Sequence, residues 1–428
     1  MPALQDRIFA LATGAGKSGV SVVRMSGPGA IEALEEFVGH LGDQHPRRAL
    51  RAFRDQTGQV IDEGLVLTFP LGKSFTGEES VEFQGHGSQA AICAVLKSLS
   101  GQSNTRLAEP GEFTRRALEN ERMSFEQVEG LLGLIDAETE AQRAQAMRSF
   151  EGRLEKKVRL WRKELTEAAA LIQVSLDFAD EDIPPEVRQR VVGHLSILRD
   201  DLEQEGAGVH VAERIRAGFE IALLGPPNSG KSTLLNFIAA RDVAIVTDIA
   251  GTTRDVLEVP LDIKGFKVVL MDTAGLRNSD DFVEQIGIKR SKERAQRADL
   301  RIFLGDPDEN LLKADDIVLC PKDDDGIHKD GVSGKTGVGV SELVARLGTI
   351  IEGRADGVGS ACNMRQKEML VGAMSHVDRA IQQLNAGIEE EIVAEDIRRA
   401  SQKLSGLVGS IGVEDVLESV FSNFCLGK

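Results

Sequence analysis

The stretch Ile221–Ser232, IALLGPPNSGKS, constrains this chain more than any other. The apolar run Ile221–Leu224 reads as a buried strand. It feeds Gly225-Pro226-Pro227-Asn228-Ser229-Gly230-Lys231-Ser232, which fits G-x-x-x-x-G-K-[ST], and a helical pattern follows over 233–240. Strand, glycine-bounded loop and helix form the frame in which backbone N–H groups and a helix N-terminus cradle phosphate oxygens. Asn228, Ser229, Gly230 and Thr233 then belong to the phosphate cradle. Lys231 reaches for the β- and γ-phosphates, and the Ser232 hydroxyl sits on Mg²⁺. A second GKSG, Gly16–Gly19, has no such frame around it and is read as an ordinary loop.

The segments downstream supply the other parts a nucleotide site requires. Thr247-Asp248-Ile249-Ala250-Gly251-Thr252-Thr253-Arg254-Asp255 is a polar loop in which the Thr253 hydroxyl can complete the Mg²⁺ shell. Loops of this kind order on the γ-phosphate and relax after hydrolysis. The strand 266–271 ends in Asp272-Thr273-Ala274-Gly275, a carboxylate on the metal side and a glycine that admits backbone to the γ-phosphate. Leu276 follows, where many GTPases have a glutamine to orient water; Asp280, Asp281 and Glu284 are the nearby carboxylates. A solvated acidic face is the other reading of those three.

A guanine-specific site expects Asn-Lys-x-Asp after a later strand. Strand 317–319 is followed by Pro321-Lys322-Asp323-Asp324, so Lys322 and Asp324 are in register but proline replaces asparagine. The Asp324 carboxylate can still accept guanine N–H groups. One lost hydrogen bond is worth about 0.5–1.5 kcal/mol, so weaker GTP affinity is expected. Ser333-Gly334-Lys335 resembles the last base-contacting loop, with backbone N–H groups toward the guanine oxygen. The connection from strand 300–304 to 317 is short for a crossover, and that side of the domain is expected to be trimmed.

The remainder of the chain frames this segment. At 428 residues there is room for two or three domains. Residues 1–118 mix strands at 19–25, 60–69 and 80–84 with helices at 30–41 and 88–98, an α+β pattern. From Ser124 to Phe178 apolar residues recur at three- and four-residue steps, and Asp182-Ile183-Pro184-Pro185 breaks the run. Helical patterns return over 187–206, 362–384 and 394–407. The expected division is 1–118, a helical part 119–215, an inserted nucleotide domain 216–352, and a second helical part 353–428.

Composition excludes several classes. A net charge of -17 disfavours indiscriminate nucleic-acid binding, so any RNA contact must use a local basic patch. Arg47, Arg48, Arg51 and Arg54 form one candidate; a solvated helix face is the alternative. Tyrosine is absent and Trp161 stands alone, against a base-stacking surface. The four cysteines are far apart and form no CxxC pair, which fits a reducing cytoplasm. No run of about 18 apolar residues and no secretory h-region are present, so no membrane span is expected.

With these loops identified, the chain resembles the MnmE (TrmE) family of tRNA-modifying GTPases. The resemblance runs through VVRMSG, SFTGEESVEFQGHG at Ser74–Gly87, EPGEFTRRALENERMSFEQVEGLLGLIDAET at Glu109–Thr139, GPPNSGKS, TDIAGTTRD, DTAGLR and the terminal Cys425-Leu426-Gly427-Lys428. It implies an N-terminal α+β folate-binding domain, a long-helix domain and an inserted Ras-like P-loop G domain. It implies a homodimer working with an FAD-dependent MnmG-type partner on tRNA. The chemistry implied is an aminomethyl or carboxymethylaminomethyl group built on C5 of the wobble uridine, with a formyl- or methylene-tetrahydrofolate as one-carbon donor.

By the same resemblance Arg24, Glu82, Arg122 and Lys428 contact the folate, with Arg122 standing where the family often has lysine. Cys425 is the candidate catalytic cysteine and Glu284 the water-positioning carboxylate. Hydrolysis in the family is activated by K⁺, placed near Asn228, Thr247, the Ile249 carbonyl and Thr252, which neutralises charge between the phosphates. Pro321 and the trimmed stretch depart from the pattern. Two other readings stay open on sequence alone. A GTP-switched ribosome-assembly protein would bring an RNA module such as a KH domain, and none is visible. A P-loop ATPase survives through Pro321.

Overall fold

The computed structural model describes residues 6–14, 16–42, 48–177, 185–240, 258–272, 293–355, 359–409, 421, 424 and 427. The chain forms two compact units, Met1–Leu132 with Val408–Lys428, and Gly133–Leu407.

In the second unit the helices are set by a seven-residue repeat. Helix α6 (Arg153–Asp177) buries Leu154, Val158, Trp161, Leu165, Ala168 and Ile172, steps of four and three in alternation. Helix α7 (Pro185–Ala217) buries Val191, Leu195, Leu198, Leu202, Glu205, Val209 and Ala212 at the same steps. Helix α10 (Met364–Ala386) and helix α11 (Glu390–Leu407) repeat the pattern through Leu370, Ala373, Val377, Ala380 and Leu384, and through Val393, Ile397, Ala400, Leu404 and Leu407. Such stripes let helices pack side by side as knobs into holes. The four form a bundle in which α6 meets α7, α7 meets α10, α10 meets α11, and α11 meets α6. Each fully buried leucine contributes about 1.5–3 kcal/mol. The Asn363 side chain caps α10 by accepting from Gln366 N at 2.9 Å.

Between α7 and α10 the chain builds a six-stranded sheet. Its strands are β7 (Phe219–Leu224), β8 (Glu258–Ile263), β9 (Phe266–Asp272), β10 (Leu300–Leu304), β11 (Ile317–Pro321) and β12 (Gly331–Val332). The order is β12-β11-β10-β7-β9-β8. All pairs are parallel except the edge hairpin β8–β9. Parallel strands are covered on both faces, which is why β7 and β10 are apolar apart from Glu220 and Arg301. Helix α8 (Lys231–Ala239) and helix α9 (Val340–Ala355) cover one face through Leu234, Leu235, Ile238, Leu343, Leu347 and Ile351. Ala295, Ala298 and Leu311 pack on the other face, against Ala222, Met271 and Phe303. Residues 305–316, which cross from β10 to β11, contain no helix, as the short connection predicts. Buried Asp316 holds this crossover: it accepts from Arg301 N, Arg301 Nε and Lys313 N at 3.0, 2.7 and 2.7 Å.

The first unit is a six-stranded sheet ordered β3-β4-β5-β2-β1-β6. The strands are β1 (Arg7–Leu11), β2 (Ser18–Ser26), β3 (Arg48–Arg54), β4 (Val60–Phe69), β5 (Ser80–Gly87) and β6 (Thr105–Leu107). Helix α1 (Ala30–Val38) and helix α2 (Gln89–Ser100) pack on one face with Phe9, Val23, Met25, Phe53 and Phe83. Alternation puts Ile8 and Ala10 on the other face, with Phe113 of helix α3 (Glu112–Glu119). The arginine cluster lies on a strand, which corrects the alternative of a helix face. Edge strand β3 turns Phe53 into the core and leaves Arg48 and Arg54 exposed; Arg47 is outside the described residues. Gly16–Gly19 leads into β2, not into a helix.

Candidate functional site

Phosphate chemistry is concentrated where β7 and β9 end side by side, with Leu223 opposite Asp272. The loop after β7 turns at Gly225 (φ 152), where a Cβ would lie 2.7 Å from the Leu304 carbonyl oxygen. Only glycine tolerates both that backbone angle and that approach. Asn228 sits exposed in a left-handed conformation (φ 63). Ser229 is buried, and its Oγ has no hydrogen-bond partner among the described residues. Lys231, also buried, donates from Nζ to the carbonyls of Gly225 and Pro226 at 2.8 and 3.0 Å. Its ammonium therefore lies within the loop, at the position from which it can turn to a phosphate. Ser232 Oγ donates to Asp272 Oδ2 at 2.8 Å. A hydroxyl and a buried carboxylate brought together beside backbone N–H groups at a helix N-terminus form a donor set suited to Mg²⁺ and phosphate. Thr233 follows on the exposed first turn of α8.

The base-side loops meet the same helix. Gly334 is so close to it that a Cβ would stand 2.5 Å from Leu234 N and 2.7 Å from Leu234 Cα. The segment Ser333-Gly334-Lys335 is thereby clamped to the start of α8. Ser333 Oγ donates to Asp324 Oδ1 at 2.5 Å and accepts from Lys335 N and Thr336 N at 3.2 and 3.1 Å. Lys335 Nζ stands 4.0 Å from Asp324 Oδ2. Lys322 is exposed with φ 62. Asp323 turns inward instead, and its carboxylate accepts from Ile327 N and His328 N at 3.0 and 2.9 Å. Those two backbone hydrogen bonds, His328 first, lower its pKa below the ordinary carboxylate value. Motif register singled out Asp324 of the two aspartates, but the inward anchoring role of Asp323 has no local sequence signal.

In the first unit Arg24 and Glu82 stand opposite each other on β2 and β5, joined at 2.9 Å from Nε and 2.8 Å from the second guanidinium nitrogen. The Arg24 guanidinium also lies 5.7 Å from the Phe75 ring centre and 5.8 Å from that of Phe113. Charged acceptor, charged donor and two rings suit a planar polar ligand. Neither phenylalanine was singled out in the sequence, although each lies in a polar, glycine-containing run. Exposed Arg122 packs beside Gly77, whose Cβ would fall 2.8 Å from Arg122 Cγ. Gly427 lies against Leu11 and Ala12 at the end of β1, the strand whose Ala10 pairs with Arg24.

A family model described as MnmE helical domain matches residues 125–425, and one described as GTP-binding protein TrmE N-terminus matches residues 7–122. Relatives named tRNA modification GTPase MnmE come from Roseobacter denitrificans, 51% identical, and Dinoroseobacter shibae, 50% identical. In each case 99% of this chain and 100% of the relative are covered. This chain belongs to the MnmE family. A third MnmE relative, from Ruegeria pomeroyi, is 48% identical over the same shares.

Within this MnmE chain the structure gathers Asn228, Ser229, Gly230, Lys231, Ser232, Thr233 and Asp272 at one end of the sheet, with Asp324, Ser333, Gly334 and Lys335 tied to each other and to α8. Thr247, Ile249, Thr252, Thr253, Thr273, Ala274, Gly275, Glu284, Cys425 and Lys428 lie outside the described residues. Of the potassium positions, Asn228 alone is described. No helix among the described residues is long and apolar enough to cross a membrane.

Proposed function

We propose that this protein is a K⁺-dependent GTPase that, with an FAD-dependent MnmG-type partner, adds an aminomethyl or carboxymethylaminomethyl group to C5 of the tRNA wobble uridine. The observation that carries the reading is Ser232 bonded to Asp272 beside a loop-bound Lys231, in a chain half-identical throughout its length to tRNA modification GTPases. GTP binds with its phosphates over Asn228–Thr233 and its base toward Lys322, Asp324 and the 333–335 loop. Ser232 and Thr253 hold Mg²⁺, with Asp272 bracing the serine and Thr273, Ala274 and Gly275 facing the γ-phosphate. Asn228, Thr247, Ile249 and Thr252 hold K⁺, which supplies positive charge where negative charge develops. Glu284 positions the attacking water. Arg24, Glu82, Arg122 and Lys428 bind the tetrahydrofolate donor, and Cys425 is the catalytic cysteine. The protein acts as a homodimer in the cytoplasm.

The test is GTP hydrolysis in KCl and in NaCl at equal ionic strength, with Glu284→Ala and an ATP control. Strong K⁺ stimulation that Glu284→Ala abolishes is the expected result. Equal slow rates in both salts would overturn the potassium mechanism, and equal use of ATP would overturn the guanine site. For the folate site, 5-formyltetrahydrofolate should bind the wild type and bind Arg24→Ala more weakly; equal binding by both would remove Arg24 from it.

A further inference from the structure

A cavity of about 380 Å³ in the second unit is lined by Arg148, Arg153, Lys156, Lys157, Gly359 and Ser360. Arg148 comes from helix α5 (Glu140–Phe150), the next three from the first turns of α6, and the last two from the chain returning from α9 to the bundle. Two of the cations are neutralised locally. Arg153 pairs with Glu151 at 3.1 Å, and Lys157 with Glu205 at 2.5 Å. Glu205 is 1% exposed although it occupies a core position of the α7 repeat. Its carboxylate also accepts from the backbone N–H groups of Ser360 and Ala361. That buried carboxylate fixes the wall of the cavity. Arg148 and Lys156 have no side-chain hydrogen bond or ion pair among the described residues.

We propose that this cavity binds a backbone phosphate of the tRNA. Two uncompensated cations face one space in a chain whose net charge is -17, so the cavity stands out as a place where a polyanion is attracted. A guanidinium fork beside an ammonium is the pair that grips a phosphate. The lining has no aromatic ring and no carboxylate to read a base, so the contact positions the RNA and carries no sequence information. The inference rests on the tRNA reading above and adds a docking point far in sequence from the edge-strand arginines.

The test is tRNA binding by the full chain over a fourfold range of salt, comparing wild type with Arg148→Gln/Lys156→Gln. Each phosphate neutralised contributes about 0.9 to the slope of log affinity against log salt. The double variant, which loses one phosphate contact, should lower the slope by about 1, roughly a fourfold smaller loss of affinity across that range. Neither side chain has a partner to lose among the described residues, so the thermal midpoint and GTP hydrolysis should stay at wild-type values. Equal slopes and affinities in the two proteins would overturn the cavity while leaving the tRNA reading intact. A wild type that binds no tRNA would overturn both. If inorganic phosphate protects the wild type and not the variant from thermal unfolding, while tRNA affinities are equal, the cavity takes free phosphate and the RNA assignment falls.

Discussion

Asp316→Ala should cripple the nucleotide-binding sheet without touching a nucleotide. Arg301 on β10 and Asp316 before β11 are 1% and 0% exposed in their side chains, and they meet at 2.7 Å. Asp316 also accepts from two backbone N–H groups, those of Arg301 and Lys313. The guanidinium reaches the carbonyls of Ala295 and Ala298 at 3.1 and 3.3 Å, and its remaining terminal nitrogen has no partner among the described residues. Removing the carboxylate strands a buried positive charge, which costs about 3–5 kcal/mol. Whole domains are stable by only ~5–15 kcal/mol. The crossover has no helix to share the load, so the loss should be local and large. Urea unfolding followed by circular dichroism, with hydrogen exchange at β10 and β11, reads it directly. Trp161 fluorescence should move less, because that residue lies in the helix bundle. The double variant Arg301→Met/Asp316→Leu should recover the part of the loss that comes from the stranded charge, while the backbone N–H groups of Arg301 and Lys313 still lack their acceptor. A single variant within about 1 kcal/mol of wild type, against the ~3–5 kcal/mol expected, would refute the reasoning. So would a double variant weaker than the single.

Two further outcomes follow from distances and charges already described. Gly334→Ala pushes a methyl against the backbone of Leu234, which cannot yield, so the 333–335 loop must retreat at about 1–3 kcal/mol. Fluorescent GTP should then bind roughly five- to 150-fold more weakly, and unchanged affinity would mean the loop does not carry the base. In the first unit, buried Arg116 bonds Asp6 and Glu112 at 2.9 and 3.0 Å, and Arg106 bonds the same two carboxylates at 2.7 and 2.6 Å. Burial pushes both carboxylates up, but these arginines outweigh it and hold both pKa values below the ordinary range. A depressed folded-state pKa contributes stability above the unfolded value and loses it as pH falls through the folded one. Thermal melts should therefore show an acid limb in the wild type that is shallower in Glu112→Gln; identical limbs would discount the network.

Elements whose periodicity is intact were legible in the sequence. β4 spans Val60–Phe69 and β10 spans Leu300–Leu304, the ranges their patterns predict. β3 was missed because RALRAFR is an edge strand without a clean alternation: Arg48, Leu50 and Arg54 are exposed, Arg51 is half-buried on the side of Phe53, and only Phe53 is fully buried. β8 carries Pro260, which reads as a breaker but is tolerated on the sheet's outer strand. α7 runs on past Gly206 to Ala217, beyond the range 187–206, because its buried stripe continues through Val209 and Ala212. Glycine's cost of about 1 kcal/mol is small beside that burial. The phosphate loop was legible because its chemistry is local. The Arg24–Glu82 contact depends on pairing strands 58 residues apart, and no local pattern reports that register; only the family resemblance pointed to it.

The loss of the asparagine at Pro321 predicts a loosened base loop, and the geometry limits how loose it can be. Pro321 ends β11 in register with Val332, so it is held by the sheet. Asp323 anchors the following turn through two backbone N–H groups. Ser333 links Asp324 to the 335–336 backbone, a bracing role that the missing amide would otherwise serve. A hydrogen bond to a charged group is worth about 1.5–3 kcal/mol when shielded. Asp324 is 42% exposed, so solvent screening reduces this to about 1 kcal/mol, roughly fivefold in affinity. Ser333→Ala should therefore weaken GTP binding about fivefold and leave hydrolysis at saturating GTP unchanged. An unaltered affinity would show that the serine does not hold the aspartate. Pro321→Asn then separates the remaining possibilities. If the serine and Asp323 already brace the loop, the restored amide changes GTP affinity little in the wild type but rescues Ser333→Ala. If it tightens both equally, the two braces act independently, and this protein's guanine site is weakened by the proline itself.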